Sequence, residues 1–384
     1  MLPENIRYEA KHYLKIENCF SIFLFLLPWS FLFFKKSDVW HAEGHFFQMG
    51  LLILFCASFF QKPNNWVSNK PLAYFLAWAG LVTGSIWIEV VAQTQKYPIK
   101  IFLPFFNLLC FVLFYKLSVE YLNREKIEKI LRWLPYSILG VLFLCVLQKL
   151  NLDQFFKPLA AKSDELVGTI GNTSHLAGYL TLCQPLFFNR GFFGHLSLIL
   201  LWIVLFLCNS ASGIIVGIIV LLFWLLMKKK YLWSLILFAL SCVGGLLVKK
   251  AFFSFSYRIE FWQELYKTFS LKAVTGHGLG IVNILGLSPV GASKWRHAHL
   301  EYYQIGVELG LVGLMLLLWC IWDYFKIFRT LKTDLTIRLA SIFLGFCLLG
   351  LFSFPAHLWI MSAMGMIAYS WLFALKGVND GSNQ

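Results

Sequence analysis

The sequence predicts an all-α polytopic integral membrane protein with about 12 transmembrane helices and one dominant loop between helices 9 and 10. Three observations carry that prediction. Of 384 residues, 59% are hydrophobic and only 14% are charged, against roughly 45–50% and about 25% in soluble chains. The apolar residues, with a mean hydropathy of +0.69, arrive in blocks close to the roughly 20 residues that cross about 30 Å of hydrocarbon. Lys and Arg, finally, collect in alternate linkers, as topology signals do.

Taken in order, the expected helices cover about 19–34, 46–60, 71–92, 98–118, 134–150, 174–189, 195–208, 210–227, 231–248, 302–322, 335–352 and 355–375, forming a single membrane domain over 1–384. Met1–Glu17 mixes charges of both signs and offers no apolar region followed by a small-residue cleavage site, so the first block is expected to be an anchor. Asn209–Ser212 divides the seventh block from the eighth; a single re-entrant helix there would invert everything downstream. With the N-terminus inside and sides alternating, 19 of the 33 Lys and Arg fall on the inner side, and half of the others sit in one loop. Arg124–Arg132 and Lys228–Lys230 are the strongest inner markers. Both termini are therefore expected inside.

The net charge of +14 comes without a basic helix or an RNA-type aromatic motif, so it points to topology and anionic lipid rather than to nucleic acid. The nine cysteines lie in or beside apolar blocks and none forms a C-x-x-C pair, which indicates small buried residues rather than a zinc site or a disulfide framework.

Two segments assigned to the outer face exceed ordinary loop length, about Asn151–Thr173 and the loop 249–299. In the second, Phe261, Trp262, Leu265 and Phe269 recur at helical spacing opposite Glu260, Glu264 and Lys267, predicting an interfacial amphipathic helix. The loop carries Lys249, Lys250, Arg258, Lys267, Lys272, Lys294 and Arg296. Such groups suit an anionic head group, and arginine grips phosphate through paired hydrogen bonds; snorkelling at the interface is the alternative.

His297 and His299 close the loop. An imidazole moves protons near neutral pH, and no third ligand follows at metal spacing. Gly276-His277-Gly278-Leu279-Gly280 lacks the spacing and the Lys-Ser/Thr pair of a nucleotide loop, and a tight turn with close backbone approach is the better expectation. Glu89, His175 and Glu308 are ionisable groups near helix ends. They are too few to outline a transport path through the midplane.

Three stretches together resemble the O-antigen ligase and O-antigen polymerase superfamily of bacterial envelope proteins. His299-Leu300-Glu301-Tyr302-Tyr303-Gln304 with Val307-Glu308-Leu309-Gly310-Leu311-Val312-Gly313 is similar to the family's H-N-[DE]-Y-L-Q…E-L-G-L-[LV]-G signature and selects His299 over His297. Arg258-x-x-x-Trp262 leading to Gly276-x-Gly278-x-Gly280 is the second match. Gly168-Thr169-Ile170-Gly171-Asn172-Thr173-Ser174 with Leu176-Ala177-Gly178-Tyr179-Leu180 is the third. Leu300 replaces the family's Asn, and Ser210-Ala211-Ser212-Gly213 lacks the arginine that many members carry there.

The resemblance implies metal-independent glycosyl transfer on the periplasmic face of the inner membrane. The donor would be a glycan on undecaprenyl diphosphate, the acceptor a sugar hydroxyl of lipid A–core or of another lipid-linked glycan, and no cofactor is implied. It gives His299 and Arg258 the catalytic roles. Arg296, Lys249, Lys250, Trp262, Asn172, Glu301, Gly278 and Gly280 are the expected substrate-binding set. Ligase is the leading reading; polymerase and protein O-oligosaccharyltransferase share the motifs. A flippase would show inverted repeats and midplane charges, which the sequence lacks.

Overall fold

The computed structural model describes residues 15–32, 39–58, 69–93, 98–152, 166–237, 259, 261–263, 265–267, 270, 272–282, 299–353 and 355–381. The described residues form helices and turns with no strand among them. The helices are α1 (Ile16–Leu26), α2 (Val39–Ser58), α3 (Lys70–Gln93), α4 (Pro98–Tyr121), α5 (Arg124–Lys149), α6 (Thr173–Cys183), α7 (Gly191–Leu207), α8 (Ala211–Met227), α9 (Glu301–Leu331), α10 (Asp334–Leu349) and α11 (Trp359–Gly381). Residues 231–237 are also helical, within the block expected at 231–248.

Among the described residues, three segments, Arg124–Lys149, Glu301–Leu331 and Trp359–Gly377, are long and apolar enough to cross a membrane. Ile16–Ser30, His45–Ser58, Gly191–Leu207 and Ala211–Met227 are shorter apolar helices. Twelve full spans are thus an expectation, of which the described residues establish the apolar helical framework.

Local chemistry explains where boundaries moved. Helix α5 starts ten residues before the apolar block because Asn123 caps it, its Oδ1 accepting from Lys126 N at 3.0 Å, and Arg124 pairs with Glu128 at 3.0 Å one turn on. Those polar turns extend a helix beyond the apolar stretch that hydropathy detects. The division at Asn209 is real. Asn209 has φ 51°, and Gly213 and Gly217 of α8 lie against Leu205 and against Leu205 with Trp202 of α7, as in an antiparallel hairpin. The expected helix 355–375 instead begins with a short 3-10 turn, Pro355–His357, ahead of α11.

The core is built around α11, α9 and α10, where Tyr324, Phe343 and Tyr369 pack with ring centroids 4.0 to 5.8 Å apart. Asn69, before α3, ties in by donating from Nδ2 to Tyr369 Oη at 2.9 Å. The helix ends sort onto two faces. The starts of α5, α7 and α10 meet the ends of α6 and α8 on one, through Arg190 to Leu131 O, Asn189 to Asp334 and Lys228 to Asp334. The starts of α6 and α9 gather on the other with Gly350, Ser353 and His357 of the connector between α10 and α11.

Candidate functional site

The second face holds a connected set of buried carboxylates and imidazoles. Helix α9 is broken at Gly310, which has φ 70° and ψ −176°. Such a break frees carbonyls and N–H groups that a buried helix must otherwise pair. Residues 272–282 pair them. His277 N donates to Val307 O at 3.1 Å and Gly278 N to Glu308 O at 2.7 Å, while Leu311 N donates to Ala273 O at 2.8 Å and Val312 N to Val274 O at 3.4 Å. From α3, Trp78 Nε1 donates to Leu309 O at 2.9 Å, and Thr83 Oγ1 accepts from Leu279 N at 3.3 Å.

Such proximity explains the glycines. A Cβ on Gly276 would meet Glu308 O and Gly310 N, and one on Gly310 would meet Val274 O and Gly276 N. Gly276, Gly278 and Gly280 all have positive φ, the region open to glycine without penalty. The expected tight turn is therefore a backbone plug in the broken helix.

Beside the plug, the first turns of α9 carry a connected set of charges. Glu301 is 4% exposed. Its Oε1 lies 3.0 Å from His357 Nδ1, and its Oε2 accepts from Ala356 N at 3.0 Å. Its own N–H bonds Gly350 O at 2.8 Å and Ser353 O at 3.1 Å. Gln304 Nε2 is 2.9 Å from His357 Nε2 and donates to Glu308 Oε1 at 3.0 Å. Glu308 is fully buried, and the Gly280 N–H also bonds its carboxylate. Burial of the His357 ring opposes its charge, but the Glu301 carboxylate, its hydrogen bond and Glu308 outweigh that and raise the ring pKa to about 9.

His299 stands two residues ahead of this clamp, half-buried, with φ 53°. Histidine enters that left-handed region more readily than bulky residues do, and single strained residues there collect at functional sites. His299 acts electrostatically on His175 at the start of α6, so the two imidazoles share one face.

The other expected site residues divide. Asn172 caps α6, its Oδ1 accepting from Ser174 N at 2.9 Å and His175 N at 3.2 Å. Trp262 belongs to the expected amphipathic helix. In that helix Phe261 and Leu265 are fully buried with Val282 and Val307, Tyr266 is 62% exposed, and Tyr303 Oη donates to Trp262 O at 3.0 Å. Phe261 and Leu265 thus face protein at α9. Gly278 and Gly280 belong to the plug. Arg258, Arg296, Lys249, Lys250 and His297 lie outside the described residues, as do Glu260, Glu264 and Phe269.

Two polar residues escaped the sequence reading. His357 fell inside the predicted last helix. Glu43, 2% exposed, accepts from Ile360 N in the first turn of α11; it sat just ahead of the predicted second block. Its only sequence signal was a carboxylate at the margin of an apolar run.

Residues 196–318 match the family model described as O-antigen ligase. The match takes in most of α7, all of α8, the glycine plug, His299 and the break in α9, so the resemblance to that superfamily holds over this stretch; the motif at 168–180 lies before it. A protein of Rickettsia felis (strain ATCC VR-1525 / URRWXCal2) named "Putative polysaccharide ligase" is 27% identical over 122 residues, 29% of this chain. The alignment spans 30% of that relative's length.

Proposed function

We propose that this protein is a multi-pass membrane glycosyltransferase of O-antigen ligase type. It moves a glycan from undecaprenyl diphosphate to a sugar hydroxyl of lipid A–core at the periplasmic face of a bacterial inner membrane. The observation that carries the proposal is the O-antigen ligase match over the stretch that holds both His299 and the broken helix behind it.

The chemistry follows from the groups present. A diphosphate is a stabilised leaving group, so the protein must neutralise its charge and activate the acceptor hydroxyl. His299 takes the hydroxyl proton as the glycosyl bond to the diphosphate breaks. Arg258 grips the departing diphosphate through its fork of donors, with Arg296, Lys249 and Lys250 adding charge. Trp262 lies against sugar or prenyl chain. The Glu301 clamp and the plug at Gly278 and Gly280 hold the start of α9, and with it His299, in place.

A surface-polysaccharide gel tests the proposal, comparing a strain lacking the gene, the restored strain and one carrying His299→Ala. A ligase predicts loss of all long glycan from lipid A–core, with glycan accumulating on the lipid carrier, in the first and third. A ladder collapsed to one repeat on the core would mean a polymerase instead. An unchanged ladder would remove lipid A–core as acceptor and leave protein glycosylation as the reading to test.

A further inference from the structure

The face opposite His299 carries a group of arginines that the transfer reaction does not use. Arg132 and Tyr136 come from the first half of α5, Arg190 from the link between α6 and α7, and Arg338 from the start of α10. Arg190 interacts electrostatically with Arg338, Tyr136 and Arg132.

Two carboxylates on this face, Asp334 and Glu128, act on Arg338 electrostatically, but their short contacts go to other partners. Asp334 takes Lys228 and Asn189 Nδ2, and Glu128 takes Arg124 at 3.0 Å. Among the described residues no carboxylate stands within ion-pairing distance of Arg132, Arg190 or Arg338. Arg190 donates from Nη2 to Leu131 O at 2.5 Å. The Nε atoms of Arg190 and Arg338 are buried with no hydrogen-bond partner. Three neighbouring guanidinium groups, two with buried donors unused, suit an oxyanion.

Aromatic side chains border the same place. Trp133, Tyr136, Phe192 and Phe193 are 54%, 53%, 85% and 46% exposed, and the rings of Trp133, Tyr136 and Phe193 form a chain with centroids 6.1 and 6.2 Å apart. Exposed Trp and Tyr beside basic groups mark the level of lipid head groups. A free anion would leave this apolar surface uncovered, whereas a phospholipid covers it with acyl chain.

We propose that Arg132, Arg190 and Arg338 form a binding site for the phosphate of an anionic phospholipid whose acyl chains lie against Trp133, Tyr136, Phe192 and Phe193. Basic pockets between membrane helices hold such head groups by charge. The site ties α5, the α6–α7 link and α10 together on the side away from His299, so it acts on the stability of the bundle and does not depend on the identity of the glycan.

The full chain, purified in a neutral detergent, is melted with increasing phosphatidylglycerol, with phosphatidylcholine at the same mole fractions, and with inorganic phosphate. The site predicts a rise in Tm with phosphatidylglycerol alone. Arg132→Gln and Arg338→Gln each weaken the apparent lipid affinity about fivefold, the effect of one basic residue near the head groups, and Lys149→Gln at the opposite end of α5 leaves it unchanged. Arg132 is exposed and bonds none of the described residues, so Arg132→Gln decides the matter if Arg338→Gln fails to fold. Equal stabilisation by phosphatidylcholine, equal stabilisation by inorganic phosphate, or an unaltered lipid response in Arg132→Gln would each overturn the proposal.

Discussion

Glu301 Oε1 lies 3.0 Å from His357 Nδ1, joining the first turn of α9 to the connector ahead of α11. The ring pKa is raised to about 9 from an ordinary 6.5. A raised pKa lends stability that is complete below about pH 6.5 and lost as pH climbs through about 9. With the ring 23% exposed, the contribution is on the order of 2 kcal/mol. Thermal unfolding in detergent is expected to show Tm falling from pH 6.5 to 9.5, with His357→Gln and Glu301→Gln both flattening that slope. Protonation also requires Gln304 to turn its amide oxygen toward Nε2–H, so Gln304→Glu should move the transition to higher pH. A wild-type Tm independent of pH over this interval would refute the pair.

The fit of the glycine plug into α9 makes a second prediction. Gly276→Ala and Gly310→Ala each place a Cβ on backbone atoms of the other segment at a positive φ, and neither backbone can yield without losing the bonds that satisfy the break. Each is expected to cost more than about 3 kcal/mol, the range of overpacking added to backbone strain. Gly84→Ala in α3, where nothing lies within 4 Å of the added methyl, should be neutral or gain up to about 1 kcal/mol. Expression and Tm of the three variants separate a plug from a loose loop.

Much of this arrangement was legible in the sequence. Apolar block length located the helices, since burying backbone in lipid demands continuous helix, and Asn209 ended α7 where a residue of positive φ was needed. The plug was half legible. Gly276, Gly278 and Gly280 signalled close backbone approach, but what they approach is set by Gly310, far along the sequence, and a glycine in an apolar helix looks the same whether it packs or breaks. His357 was hidden because Pro355 and the apolar residues after it resemble a helix start, while its partner Glu301 is distant in sequence. No local pattern announces a pair formed between separate helix ends.

Asn172 separates capping from substrate binding. Its Oδ1 accepts two N–H groups at the start of α6, a role that Ser and Asp share and Ala lacks. Asn172→Ala is expected to lose about 1 kcal/mol of stability, and Asn172→Asp to retain both stability and glycan transfer. If Asn172→Asp unfolds at the wild-type Tm yet transfers glycan at least tenfold more slowly, the side-chain amide serves the substrate as well as the helix.

His299 offers the sharpest test, because its backbone and its ring can be separated. A φ of 53° suits glycine and asparagine, so His299→Gly and His299→Asn keep the chain path while removing the imidazole. Both should fold with a wild-type Tm and transfer glycan at least about 100-fold more slowly, the lower bound of general-base assistance. His297→Ala, two residues earlier, should stay within a few fold of wild type. Arg258→Ala should fall as far as His299→Gly, and Arg258→Lys should recover only part, since an ammonium supplies charge without the paired donors. Transfer from a synthetic lipid-diphosphate glycan by the purified protein measures all five. If His299→Gly kept full rate, the base would lie elsewhere on this face, and His175, which already feels the charge of His299, would be the next ring to replace.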